Sequence, residues 1–593
     1  MQNPIVITGE GIVCAIGNNK QEVLQSLLDS QSGIGEMHYL QSSHHELPVG
    51  EVKLSNDDIK SLLGIPTSEA VSRTTLMGMM AVGQALAEAH IIYPQKIGNK
   101  RIVLISGTTV GGMDITEQLF DEMTSTGRPH VSLLKHDCGS STTDISRYFG
   151  IFHEETTIST ACSSSANALI LGAELLKSGQ ADIVVAGGAE ALTRFHLNGF
   201  NSLMILDNKP CRPFDEQRAG LNLGEGAAFV VMETEASACE RGVPIHAYLS
   251  GYGNACDAYH QTASSENGEG AYLAMREALA MAHLKPSDID YINAHGTGTR
   301  NNDISESMAL RRIFTAAMPP VSSTKTFTGH TTSASGSIEA VICLLAMHHH
   351  FIPANLRWQH QMPDGITPSL GEQQCTLKHV VCNAFGFGGN DSSLILSAAK
   401  SSETVMDIST PHTEFQPHVL ARYEIKEEAA LADIRHYVKP LEARRMGKLM
   451  KSALLSSLKV LELAGIPRPD AIITATSLGC LENSELLLKQ IQEEGEVMLK
   501  PTYFMQSTHN TIGSAIAIYL KCHGYNTTYT HGAQSLEWAL RDARLLLMSG
   551  RARSVLVGLH EETTTLYRSL MEQLGEYNLP SVHSLAMILT CGK

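Results

Sequence analysis

TTISTACSSSANALILGAELLKSGQADIVVAGGAEALT, residues 156–193, holds the pattern from which the rest of the chain is read. A short β-branched run ends in a turn of small residues, Cys162 follows, and the apolar helical stretch SSANALILGAELLKSG (164–179) opens at once. ADIVVAGG (181–188) then reads as a second buried strand. Strand, helix and strand in this order form the crossover of a parallel sheet. A thiol at the first turn of a helix meets unpaired backbone N–H groups and the positive end of the helix dipole. Both favour a thiolate, the form in which cysteine is a nucleophile.

The same alternation extends outward. PIVITG (4–9), RIVLISG (101–107), GAAFVVME (226–233) and SLILSA (393–398) read as strands, and TTLMGMMAVGQALAEA (74–89) as a helix. An α/β fold with largely buried strands follows. Residues 399–418, rich in Ser, Thr, Pro and His without apolar period, read as a linker. A second α/β stretch runs from 419 to 593 and looks like a degenerate repeat of the first. In the gapless register, Ala168-Leu169 falls on Ala539-Leu540 and Ser178-Gly179 on Ser549-Gly550. Upstream, VLISGTTVGGM (103–113) resembles IITATSLGCL (472–481), and SLAMILT (584–590) answers GAAFVVME.

Composition narrows the function classes. The 593 residues are 43% hydrophobic and 18% charged, with a formal net charge of −17. That balance excludes a global basic field for nucleic acid. The absence of an 18-residue apolar run speaks against a membrane span. The N-terminus lacks the basic region of a signal peptide. The 12 cysteines are scattered without a C-x-x-C pair, which points to a reduced, cytoplasmic protein. GEGIVC (9–14) has Cys14 where a dinucleotide loop needs its third glycine. His348, His349 and His350 end a helical stretch with no second ligand cluster at metal spacing.

Two further loops bring imidazoles to similar strand-to-loop transitions. YINAHGTGT (291–299) carries His295, and STKTFTGHTTSASGSIEA (323–340) carries Lys325 and His330. A thiol with two imidazoles suits acyl-thioester chemistry, a nucleophile with donors for a developing oxyanion.

Residues 1–400 resemble the elongating β-ketoacyl-ACP synthases of the thiolase superfamily. Six blocks in the family's order carry the resemblance: IVITGEGIVCAIGNN (5–19), TACSSS, KPCRPFDEQRAGLNLGEGAAFVVME (209–233), AHGTGT, KTFTGH and NAFGFGGND (383–391). The resemblance implies a five-layered α-β-α-β-α thiolase-like core of two similar halves, 1–250 and 251–398. It implies that Cys162 takes an acyl chain from an acyl carrier protein, and that His295 and His330 stabilise the enolate left when malonyl-ACP loses CO2. Lys325 matches the family's active-site lysine and Glu306 its acidic partner. The backbone N–H groups of Cys162 and Phe387 match the oxyanion hole. Thr297 and Thr299 match contacts to the pantetheine arm, and Phe387, Phe200 and Val110 positions that meet the acyl chain. No cofactor or metal is implied, and the class usually dimerises through its N-terminal halves. The closing loop departs from the usual GFGGTN, with Asn390 and Asp391 in the last two places, and TTSASGS from 331 onward is more polar than usual.

In the repeat register Ala533 falls on Cys162, with Gln534 adjacent, and the chain ends before counterparts of His295, Lys325 or His330. The second stretch therefore resembles the N-terminal half of a condensing enzyme without its chemistry, like the inactive chain-length-factor partners of polyketide and aryl-polyene synthases. Such a half-thiolase-like module is expected to leave an apolar face uncovered. It would pack on the main domain or on a partner, in a homodimer or hetero-oligomer. The leading expectation is decarboxylative condensation in fatty acid, polyketide or aryl-polyene chain elongation. A malonyl-ACP decarboxylase or a non-catalytic chain-length-setting subunit is the alternative. A thiolase is disfavoured, because the late cysteines Cys375 and Cys382 stand in no thiolase motif.

Overall fold

The computed structural model describes residues 4–91, 98–398, 416–577 and 579–591. Among the described residues three units follow one another along the chain, each giving five strands to one 15-stranded sheet; the short strands Phe351–Ile352 and Glu372–Gln373 pair apart from it. The first has Ile5–Cys14 (β1), Ile102–Gly107 (β2), Glu154–Ile158 (β3), Ile183–Glu190 (β4) and Gly226–Thr234 (β5). The second has Ala247–Cys256 (β6), Tyr291–Asn293 (β7), Val321–Ser322 (β8), His379–Gly386 (β9) and Asn390–Ser397 (β10). The third has Pro417–Ile425 (β11), Ala471–Ala475 (β12), Asn526–Tyr529 (β13), Ser554–Glu562 (β14) and Val582–Cys591 (β15).

Each unit has the same spatial order: third, second, fourth, fifth, first strand. The third, second and fourth strands run parallel, and the fifth pairs antiparallel with the fourth and the first. The repeat inferred from two sequence blocks therefore extends to all three units. Parallel strands need crossover helices and are covered on both faces, which is why β2, β4 and β5 read as continuous apolar runs.

The helices that matter to the site are Arg73–Glu88 (α1), Cys138–Phe149 (α2), Ser164–Lys177 (α3), Glu269–Ala282 (α4), Ser335–His349 (α5), Lys448–Ala464 (α6), Thr511–Leu520 (α7) and Ser535–Met548 (α8). Helices α3 and α5 are buried almost all round and share one apolar cluster. They form the middle layer between the sheets of the first two units. Helix α1 packs on the outer face of the first sheet and α4 on that of the second. This is the expected five-layered α-β-α-β-α core. The glycines of GEGIVC lie inside β1 and admit α1: a Cβ on Gly11 would come within 2.0 Å of the Ala81 carbonyl oxygen.

Two boundaries move. The division expected at 250/251 falls inside β6, and the first two units meet instead in the loop at 242–246. Of the expected linker, 399–415 lies outside the described residues, and Pro417 and His418 already belong to β11.

The third unit docks on the first. β13 pairs antiparallel with β3 at Tyr529 and Ile158. Ser159 N donates to Thr528 O at 2.9 Å, and Thr530 N to Thr157 O at 3.0 Å. The β3 edge of the first unit's sheet is therefore paired within the same chain. The apolar face expected on the third unit is also corrected. Ala166 of α3 packs on Gly336 of α5. In the repeat register, Ala166, Ile170 and Ala173 correspond to Glu537, Arg541 and Arg544 of α8. Glu537 and Arg544 are exposed, and Arg541 turns back to Glu154 and Gln180 of the first unit. Charge has replaced the apolar surface that a second half would have covered.

Candidate active site

The turn before α3 is a single 3-10 turn, Ala161–Ser163, in which Ala161 has φ 52°. The same turn precedes α5 at Thr332–Ala334 and α8 at Gly532–Gln534, with φ 43° at Thr332 and 51° at Gly532. A β-branched residue at positive φ is rare and costly. That Thr332 adopts it shows how firmly the unit imposes this turn. The geometry directs the next side chain off the strand ends into the space between units. That side chain is Cys162 in the first unit and the exposed Ala533 in the third, so the nucleophile position is empty there as expected.

Around Cys162 the first two units converge. His330 Nε2 is 3.1 Å from Cys162 Sγ, and His330 Nδ1 is 3.0 Å from the Ser335 hydroxyl. The rings of His295 and His330 lie 5.3 Å apart, edge to face. One ring nitrogen from each histidine and the sulfur all lie within 4.8 Å of one another. His295 Nδ1 is buried and has no hydrogen-bond partner among the described residues. Burial, and then the nearby Lys325 ammonium, hold both histidines well below their ordinary pKa. They are neutral at physiological pH.

Burial pushes the Cys162 thiol up to about 12, while Lys325 and the Phe387 N–H pull it down. The thiolate expected from the helix terminus is therefore not the resting form. Desolvation outweighs the groups that favour the thiolate, and the nitrogen in contact with the thiol is His330 Nε2.

Lys325 and Glu306 do not pair. Lys325 Nζ donates to Glu339 Oε1 at 2.5 Å, and both side chains are almost wholly buried. Glu306 instead accepts from the backbone N–H groups of His295 (2.9 Å) and Gly296 (2.8 Å) and holds the histidine loop. Burial raises Glu306 and Glu339 to about 7 each. Glu339 was missed from sequence because it stands in SGSIEAVICLLA, an apolar run in which a lone carboxylate gives no sign of a partner.

A cavity of about 490 Å³ opens on Cys162, His295 and His330, and Thr297, Thr299, Phe200 and Phe387 also line it. The hydroxyls of Thr297 and Thr299 are 2.9 Å apart. Phe387 stacks on Phe200 at 5.5 Å. Val110 does not line this cavity; it lies behind Phe200 in an apolar cluster with Phe195 and Phe504. Phe504 comes from the third unit and packs on Phe200 with centroids 5.1 Å apart. Its ring lies so close to Gly199 that a Cβ there would come within 2.1 Å of it.

Family models for the β-ketoacyl synthase N-terminal and C-terminal domains match residues 2–238 and 246–359, and a second N-terminal-domain model matches 420–593. The chain belongs to the β-ketoacyl synthase family. It is 32% identical to 3-oxoacyl-[acyl-carrier-protein] synthase 2 of Synechocystis sp. over 407 residues, which are 66% of this chain and 97% of that protein. The solved ishigamide ketosynthase/chain length factor is similar at TM-score 0.63 and 30% identity, over 67% of this chain and 100% of that one. The PfaC keto synthase-chain length factor structure covers 99% of this chain and 78% of its own, at TM-score 0.78 and 16% identity. That last likeness shows the fold of all three units. Among the described residues no helix is long and apolar enough to cross a membrane.

Proposed function

We propose that this β-ketoacyl synthase condenses malonyl-ACP with an acyl group carried on Cys162. The observation that carries the reading is the Cys162–His330 contact of 3.1 Å beside His295 in one cavity. Cys162 attacks an acyl-ACP thioester, and His330 takes the thiol proton at Nε2 and passes it to the departing pantetheine thiolate. The Ser335 hydroxyl can donate or accept at Nδ1. His330 can thus present either a lone pair or an N–H at Nε2. Malonyl-ACP next enters along Thr297 and Thr299. Its carbon–carboxylate bond breaks, CO2 leaves, and the electron pair forms an enolate whose oxygen is held by His295 and His330. The carbanion attacks the acyl-Cys162 carbonyl while the N–H groups of Cys162 and Phe387 hold the oxyanion. Collapse expels the Cys162 thiolate, which takes up a proton, and releases 3-oxoacyl-ACP. Burial, helped by Lys325, keeps the histidines neutral.

The third unit, lacking a nucleophile, acts as a fused chain-length-setting partner, with Phe504 backing Phe200, a ring that lines the cavity. The implied partner is an acyl carrier protein, in the cytoplasm, in fatty acid, polyketide or aryl-polyene type elongation. Incubation with acyl-ACP and malonyl-ACP tests the reading. One 3-oxoacyl-ACP per CO2 supports it. CO2 alone identifies a malonyl decarboxylase, and neither product identifies a non-catalytic subunit.

A further inference from the structure

Phe387 is held from two units. On the side of the second unit, Gly388 N donates to Gln261 O at 2.7 Å and Asp257 N to Gly389 O at 2.8 Å. On the other side stands Asn510, the residue that opens α7 of the third unit. Its Nδ2 donates to the Phe387 carbonyl at 2.8 Å and to Asn390 Oδ1 at 2.7 Å. Two acceptors at these distances settle which end of the amide is nitrogen. Ser514, one turn on, reaches the same Asn390 oxygen at 3.5 Å, and Asn390 Nδ2 donates to Asn526 O at 3.1 Å. Asn390 is one of the two places, with Asp391, where this chain departs from GFGGTN. The departure supplies the acceptor and donor that tie the loop to the third unit.

The N–H of Phe387 points at the Cys162 sulfur and its ring stacks on Phe200. Fixing the carbonyl of that residue fixes its backbone direction, and with it the oxyanion donor and the ring. We propose that Asn510 is a positioning residue for condensation, supplied by the unit that carries no nucleophile. The third unit then supports the working active site from behind, through Asn510 on Phe387 and Phe504 on Phe200. Asn510 touches no substrate and acts through Phe387. The inference rests on the condensing-enzyme reading above.

The test uses the full chain with Asn510→Asp, which keeps the shape and removes the donor, and Asn510→Ala, which removes the side chain. Ser514→Ala, which loses only the 3.5 Å contact, serves as the interface control. Steady-state condensation is measured with acyl-ACP and malonyl-ACP, and folding by circular dichroism and gel filtration. Misplacing a reacting group by about 1 Å can cost on the order of 10²-fold. The expected result is a fall of roughly tenfold to 10²-fold in kcat for a folded Asp or Ala variant. KM for both carrier-protein substrates stays within about twofold of wild type, and Ser514→Ala stays near wild type. Either variant folded and turning over at the wild-type kcat overturns the inference, as does a loss confined to KM. If the wild-type chain itself forms no 3-oxoacyl product, the condensing-enzyme reading falls and this inference with it.

Discussion

His330 Nε2 stands 3.1 Å from Cys162 Sγ, although the two residues are 168 positions apart in the chain. The contact joins the first unit to the second and pairs a buried thiol with a neutral imidazole. Cys162→Ala is expected to abolish acyl transfer and 3-oxoacyl-ACP formation, because the covalent step has no other nucleophile. Malonyl decarboxylation can persist in that variant. Radiolabelled acyl transfer and product chromatography measure the two steps; condensation near the wild-type rate would contradict the assignment.

His295→Ala and His330→Ala are each expected to lower condensation by about 10²–10³, the usual cost of one oxyanion donor. His295→Ala should retain most acyl transfer, since His295 does not contact the sulfur. Comparing acyl loading of Cys162 with malonyl turnover separates the roles. Equal turnover in wild type and both variants would remove the histidines from the mechanism.

The Lys325–Glu339 pair is buried between α5 and the loop before it. Breaking a buried pair from one side typically costs about 3–5 kcal/mol, whereas replacing both partners by apolar residues can be nearly neutral. Lys325→Met is therefore expected to lower unfolding stability by that amount, and Lys325→Met with Glu339→Met to recover most of it. Denaturant unfolding measures both. The same double variant removes the ammonium that helps hold His295 and His330 below their ordinary pKa. Both histidines then charge at higher pH, so the acid limb of the pH–rate profile should move upward. An unmoved limb would mean that burial alone keeps them neutral.

The acyl end of the cavity predicts a change of product without a change of chemistry. Phe504→Ala removes a ring that packs on Phe200 and Gly199. Longer 3-oxoacyl products are expected by mass spectrometry, with loading of Cys162 retained. By contrast Gln534→Ala should leave condensation intact, since Gln534 is exposed on a unit without a nucleophile. Loss of turnover by a folded Gln534→Ala protein would overturn the inactive reading of that unit.

The Cys162 turn was legible because strand, small-residue turn and helix are local in sequence. His295, His330 and Phe387 were legible through motif blocks, each of which sits at the end of a strand. Glu339 was not, since a carboxylate in an apolar helix says nothing about a lysine on the preceding loop. Asn510 and Phe504 reach their partners across an interface between units far apart in sequence, of which the β3–β13 pairing is one part. The expected apolar face on the third unit failed for a reason visible in hindsight. Glu537, Arg541 and Arg544 recur at i, i+4 and i+7 and mark a solvated helix face.

In the proposed reaction Cys162 carries the growing chain. Peptide mass spectrometry after incubation with acyl-ACP tests it most directly, followed by a chase with malonyl-ACP. The expected result is an acyl increment on the peptide containing Cys162 that disappears on the chase as an equal amount of 3-oxoacyl-ACP forms. An increment that survives the chase, or that sits on another residue, would contradict it.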